Sequence, residues 1–286
     1  MASENDTNAQ EDAQGATSSW RMTTNPIALF FADTAACIRF FSRMPLARVN
    51  NVDDPMSLPD FTRVARAAPL AGVFVALPAA GLGLALGSTS LPPLATALVV
   101  VAALAIITGA LHEDGLADVA DGFFGGHTSE RRLEIMKDSR IGAFGTIALV
   151  LSLGLKAVLL ATLITRFGAA DAMVTLLGVE AISRALMVWQ WSILPPARRD
   201  GLAARFGTPN LNSRTFALAL GSFCLIPSLI ELPVLANLTG LGLSILASLA
   251  VARLAVAKIG GGTGDVLGAI QQISSLAFLL GLLLLP

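Results

Sequence analysis

Residues 112–145 read HEDGLADVADGFFGGHTSERRLEIMKDSRIGAFG and hold Glu113, Asp114, Asp118 and Asp121 within nine positions. A glycine-rich turn (Gly122, Gly125, Gly126) separates these acids from Arg131, Arg132, Lys137, Asp138 and Arg140. On either side runs an apolar segment of about 20 residues, the length needed to cross a hydrocarbon core of about 30 Å. So much clustered charge between two membrane spans points to a metal site that handles a phosphorylated substrate.

Composition places the whole chain in the same frame. Of its 286 residues 54% are apolar and only 14% charged, whereas a soluble domain carries roughly 25% charged residues. The apolar runs are rich in Leu, Ala, Val and Gly and lack the short alternation of an outer-membrane barrel, so the expected class is all-α and polytopic. Cys37 and Cys224 both sit in apolar context and read as packing residues. The first 24 residues are acidic and polar, without the basic start and apolar core of a secretory signal. They read as a disordered cytoplasmic tail, leaving 25–286 as a single integral membrane domain.

Residues 26–46, PIALFFADTAACIRFFSRMPL, are apolar but interrupted by Asp33, Arg39 and Arg43. With Phe30, Phe31, Ile38, Phe40 and Phe41 roughly on one side, the segment predicts an amphipathic interfacial helix. Seven spans follow, near 68–88, 92–112, 143–165, 171–193, 214–231, 233–253 and 266–286. Of the 19 Lys and Arg, all but Lys156, Arg166 and Arg184 fall in the N-terminal region, in the three longer loops or at their junctions with spans. The positive-inside rule then puts those loops in the cytoplasm. Arg198, Arg199 and Arg205, in the 194–213 loop, read as determinants of that topology.

On a helix Asp114, Asp118 and Asp121 stand at i, i+4 and i+7, stacked on one face. Three like charges repel, and a bound divalent cation reverses the sign of the interaction. Carboxylates without paired His or Cys favour a hard ion such as Mg2+ or Mn2+. Glu113 points away from Asp114 and is left for a second metal or a base. Arg131, Arg132, Lys137 and Arg140 suit phosphate, with lipid head groups as the alternative ligand; Asp138 either orients them or completes the metal shell. Lys258 and the run Gly260–Asp265 lead into the last span, where a glycine-rich helix start offers N–H groups to an anion. The alternative there is a flexible turn with Asp265 as cap. Lys156, Glu180 and Arg184 lie within spans, where they either stitch helices together or line a cavity.

HEDGLADVADGFFGG, followed by RRLEIMKDSRIGAFG and later GGGTGDVLGA, resembles the cobalamin synthase (adenosylcobinamide-GDP ribazoletransferase) family over nearly the whole chain beyond the N-terminal tail. The resemblance implies an inner-membrane, Mg2+-dependent transferase. Its reaction joins adenosylcobinamide-GDP to α-ribazole or α-ribazole 5′-phosphate and releases GMP. Carried over, its acidic signature falls on Glu113, Asp114, Asp118 and Asp121, its basic segment on Arg131, Arg132, Lys137, Asp138 and Arg140, and its glycine turn on Thr263, Gly264 and Asp265. With the spacing argument, Asp114, Asp118, Asp121 and Asp138 are expected to hold the metal, and Arg131, Arg132, Lys137, Arg140, Lys258 and Thr263 to bind phosphate. Glu113 and Asp265 become candidate bases for the attacking ribose hydroxyl. Where family members often carry a carboxylate in the last span, this chain reads Gln272-Ile273-Ser274-Ser275. The implied partners are a corrinoid nucleotide, α-ribazole and the lipid bilayer, with no nucleic acid; homo-oligomerisation is compatible with the reading. A Mg2+-dependent membrane prenyltransferase would show two Asp-rich loops, and a transporter leaves four carboxylates at one end unexplained.

Overall fold

The computed structural model describes residues 25–198 and 201–285. The expected N-terminal tail lies outside the described residues. Every regular element described is helical. In chain order these are α1 (Pro26–Phe41), α2 (Phe61–Gly87, tightened to 3-10 at Ala65–Ala67), α3 (Pro93–Thr108), α4 (Leu111–Gly125) and α5 (Ser129–Ile135). There follow α6 (Ala143–Phe167), α7 (Ala169–Ile193), the single turn α8 (Leu202–Phe206), α9 (Leu211–Phe223), α10 (Ile226–Glu231), α11 (Val234–Ile259) and α12 (Gly264–Leu283).

Six of these units are long and apolar enough to cross a membrane: α2, α6, α7, α9 with α10, α11 and α12. A seventh comes from α3 and α4, which are bent by 90° at the break between them. We read α3 as the crossing segment and α4 as running across the end of the bundle. The starts and stops follow local chemistry. Pro93 stands at the first turn of α3, Asn210 and Thr263 cap α9 and α12, and Gly260 ends α11 in the left-handed region at φ 78°.

α7 and α12 form the centre, with 83% and 78% of their apolar windows buried, while α2, α6, α9 with α10, and α11 bury only 28–39%. The outer helices turn Val150, Leu151, Leu235 and Leu246 outward, as a bilayer-facing surface requires. Between α11 and α12 the backbones nearly touch: a Cβ on Gly281 would collide with the Cα of Gly240. Small residues are what permit such close packing where no water drives association.

The charges expected within spans pair with one another. Glu180 on α7 accepts from Lys156 of α6 at 2.8 Å, from Arg184 at 2.6 Å and from Gln271 of α12 at 3.0 Å. This buried cluster stitches three helices together.

Helix α1 corrects part of its sequence reading. Ile38 and Phe41 face the core, but Phe31 is 50% exposed, so the five apolar residues do not share one side. Instead Asp33 is buried at 1% exposure and accepts from Arg63 and Arg66 at 2.9 Å each. Two guanidiniums supplied by α2 make the inward turn of that carboxylate affordable. Cys37 is buried and Cys224 partly so; both are free thiols.

Candidate active site

The site is built on the break before α4. Gly109 and Ala110 both take left-handed backbone, at φ 65° and 57°. For alanine that conformation costs about 1–2 kcal/mol. It is held by packing: Arg43 donates its backbone N–H to Ile107 at 2.8 Å, and a Cβ on Gly109 would run into the Arg43 side chain. The break turns the acidic helix so that it crosses α12 near its start. There Gly115 is essential, because a Cβ would stand 2.8 Å from the carbonyl oxygen of Asp265.

The crossing joins two acidic regions that lie far apart in sequence. Asp114 is exposed, Asp118 is half-buried, and Asp265 stands close enough for its charge to be felt by Asp118. Burial pushes the Asp118 carboxyl up to about 7, helped by the charges of Asp114, Asp265 and Asp121 and opposed by Arg198. Thr263 caps α12 and donates from its hydroxyl to Asp265 at 3.2 Å. The glycine-rich turn before it is pinned to the 195–197 segment: Gly262 donates to Pro195 at 2.8 Å and accepts from Ala197 at 3.0 Å. A Cβ on Gly261 would overlap the carbonyl of Pro195, so this turn is a fixed joint.

Two of the predicted acids point elsewhere. Asp121 accepts the N–H groups of Gly142 at 2.7 Å and Gly145 at 2.8 Å, the otherwise unpaired donors at the start of α6. Glu113 is buried; one oxygen accepts from Gln272 at 2.9 Å and the other, also buried, has no partner. The glutamine in the last span thus faces the first carboxylate of the acidic stretch.

The basic segment divides in the same way. Arg131 pairs with Glu134 and Arg140 with Asp138 on the surface, an arrangement that holds the Asp138 carboxyl down at about 2. Lys137 is exposed, and Lys258 lies 5.9 Å from the Phe124 ring centre. Arg132 is committed to the carbonyls of Gly126 and Lys258, tying α5 to the end of α11. The cation that reaches the acids is Arg198. It donates to Leu133 at 2.8 Å, and its charge acts on both Asp118 and Asp265. Its partners lie more than 60 residues away in sequence, so only its place beside the Pro195–Pro196 turn hinted at a fixed position.

Two cavities meet at Asp265. One, of about 290 Å3, is polar and carries Arg198, Arg205 and Thr263 on its walls. The other, of about 140 Å3, is apolar and has Asp114 and Asp265 at its edge. Among the described residues no three His, Cys, Asp or Glu side chains converge to hold a metal unaided. Mg2+ commonly takes only one or two carboxylates and fills its shell from substrate phosphates and water. The pair Asp114 and Asp118, beside a cationic cavity, fits that donor set.

A family model described as cobalamin-5-phosphate synthase matches residues 33–283. The chain belongs to this family. Among its relatives, adenosylcobinamide-GDP ribazoletransferase of Sinorhizobium medicae is 45% identical over 87% of this chain and 95% of its own. The proteins of the same name from Brucella canis and Brucella suis are each 49% identical over 88% of this chain and 96% of theirs. No solved structure matches the chain. The cobalamin-5-phosphate synthase match spans the acidic stretch, the Arg198 loop and the glycine-rich turn together, the three segments that converge at the cavities.

Proposed function

We propose that the junction of the two cavities is the reaction centre and that it faces the cytoplasm. The chain is a transferase of cobalamin biosynthesis: it joins adenosylcobinamide-GDP to α-ribazole with release of GMP, in the final assembly of vitamin B12. The observation that carries the site assignment is the crossing at Gly115, which sets Asp265 beside Asp114 and Asp118, with Arg198 acting on the same group.

A ribose hydroxyl of α-ribazole attacks the phosphorus on the cobinamide side of the diphosphate. The new phosphorus–oxygen bond forms as the bond to the GMP oxygen breaks. Such a reaction needs in-line positioning and neutralised charge on the phosphate oxygens. Arg198 and Arg205 bind the donor diphosphate in the polar cavity. Asp265, on the wall shared by both cavities, takes the hydroxyl proton; Glu113, anchored by Gln272, is the second candidate. Asp114 and Asp118 would hold Mg2+. The ion would supply charge neutralisation on the diphosphate.

Two experiments test this reading. Asp118→Asn in purified, folded protein should lose most GMP release across a Mg2+ titration; near-normal turnover at every Mg2+ concentration overturns the metal assignment. A cytoplasmic reporter fused after Gly126 should be active and a periplasmic one silent, and the reverse pattern overturns the orientation.

A further inference from the structure

The apolar cavity has no assigned occupant. Its walls come from five separate helices and include Phe40, Phe41, Met187, Trp191 and Leu267, with His112 among them. His112 is 2% exposed and its Nε2 is buried without a hydrogen-bond partner. Its ring lies nearly parallel to that of Phe41, at 24° and 5.8 Å between centres. A buried polar atom left unpaired costs about 1–3 kcal/mol. An aromatic-walled cavity that His112 also lines suits a ligand that is flat, largely apolar and carries one ring nitrogen.

The cavity's volume of about 140 Å3 is several times the share of one water, about 30 Å3. It admits a single bicyclic ring and excludes a corrin. Both substrates of the proposed reaction carry a bicyclic heterocycle, so the walls must choose between them. Guanine presents a full edge of donors and acceptors, of which Asp114, Asp265 and His112 can meet only part. A benzimidazole linked to its ribose keeps one free ring nitrogen and no exocyclic polar group. Sites discriminate strongly against ligands that bury unpaired polar groups.

We propose that this cavity seats the benzimidazole base of the ribazole acceptor, with His112 Nε2 as the partner of its free ring nitrogen. The proposal rests on the transferase reading above. It places the ribose at the cavity edge, beside Asp114 and Asp265, where the attacking hydroxyl is needed. The donor's guanosine is left to the polar cavity on the other side of Asp265.

The test uses the full-length protein in detergent and labelled 5,6-dimethylbenzimidazole in equilibrium dialysis. The wild type should bind it saturably, one per chain, and guanosine should not displace it. His112→Phe keeps the stacked ring and removes the nitrogen; it should weaken binding at least tenfold. The same variant should raise KM for α-ribazole by a similar factor while leaving KM for adenosylcobinamide-GDP within twofold. Leu111→Trp, at an exposed position on the cavity edge, should do the same by narrowing the entrance, and decides the matter if His112→Phe does not fold. Absence of saturable binding, displacement by guanosine, or an unchanged ribazole KM in the folded variants overturns the proposal. Failure of the wild type to release GMP would instead overturn the transferase reading, since dialysis reads the cavity without turnover.

Discussion

Asp121 and Gly145 are joined across 24 residues by a 2.8 Å hydrogen bond from the glycine N–H to the carboxylate, with Gly142 on the other oxygen. The last acid of the charged stretch therefore fixes the first turn of α6, and a Cβ on either glycine would strike it. A hydrogen bond to a charged group contributes about 1.5–3 kcal/mol. Asp121→Asn can keep one of the two and turns an N–H toward the other donor, so it should cost about 2 kcal/mol of stability. Gly145→Ala should lower the melting temperature in detergent similarly. A variant that melts normally and loses only its response to Mg2+ would make Asp121 a metal ligand rather than a clamp.

The half-buried Asp118 gives the site a pH dependence whose sign is set. Its carboxyl sits at about 7, well above its ordinary value near 4. Folding thus favours the protonated acid, so without metal this group's stability contribution declines as pH rises from about 4 through about 7. Mg2+ must displace that proton. Half-maximal GMP release should therefore need about tenfold more Mg2+ at pH 6 than at pH 8. Equal requirements at the two pH values would remove Asp118 from the metal's shell.

The crossing helices were legible because their apolar runs match the bilayer thickness, a property of each run alone. The path of α1 was not. Counting its apolar residues could not show that Asp33 would be drawn inward by guanidiniums 30 and 33 residues further on. The site divides along the same line. Helical spacing exposed Asp114 and Asp118, but their union with Asp265 depends on a helix crossing that only Gly115 hints at. Arg198 stayed hidden in a loop whose charge had a sufficient explanation in topology.

The Glu180 cluster separates fold from function. Lys156 and Arg184 are 4% and 1% exposed in their side chains, and removing one partner of such a buried pair costs about 3–5 kcal/mol. Glu180→Gln should therefore lower the yield and melting temperature sharply. The molecules that do fold should turn over normally, because Glu180 lines neither cavity at the junction. By contrast Glu134→Ala, which breaks the exposed pair with Arg131, should change stability by less than about 1 kcal/mol. A Glu180 variant that melts normally but loses turnover would move this cluster into the substrate path.

Arg198 ranks the cations. Its charge reaches Asp118 and Asp265, and its side chain lines the polar cavity. Arg140, at 86% side-chain exposure, is already taken by Asp138. A preorganised donor at developing phosphate charge contributes roughly 100-fold or more in rate, whereas an exposed arginine shared with a neighbour and screened by water contributes far less. Arg198→Gln should therefore lower kcat/KM for adenosylcobinamide-GDP by about 100-fold, and Arg140→Gln by less than tenfold. Because Arg198 also donates to Leu133, Arg198→Lys is the informative companion. It keeps the charge and loses the fork, so partial recovery would assign the effect to charge at the diphosphate, and no recovery would assign it to geometry. The reverse ranking, with Arg140→Gln the more damaging, would shift the diphosphate from the polar cavity to the exposed basic segment.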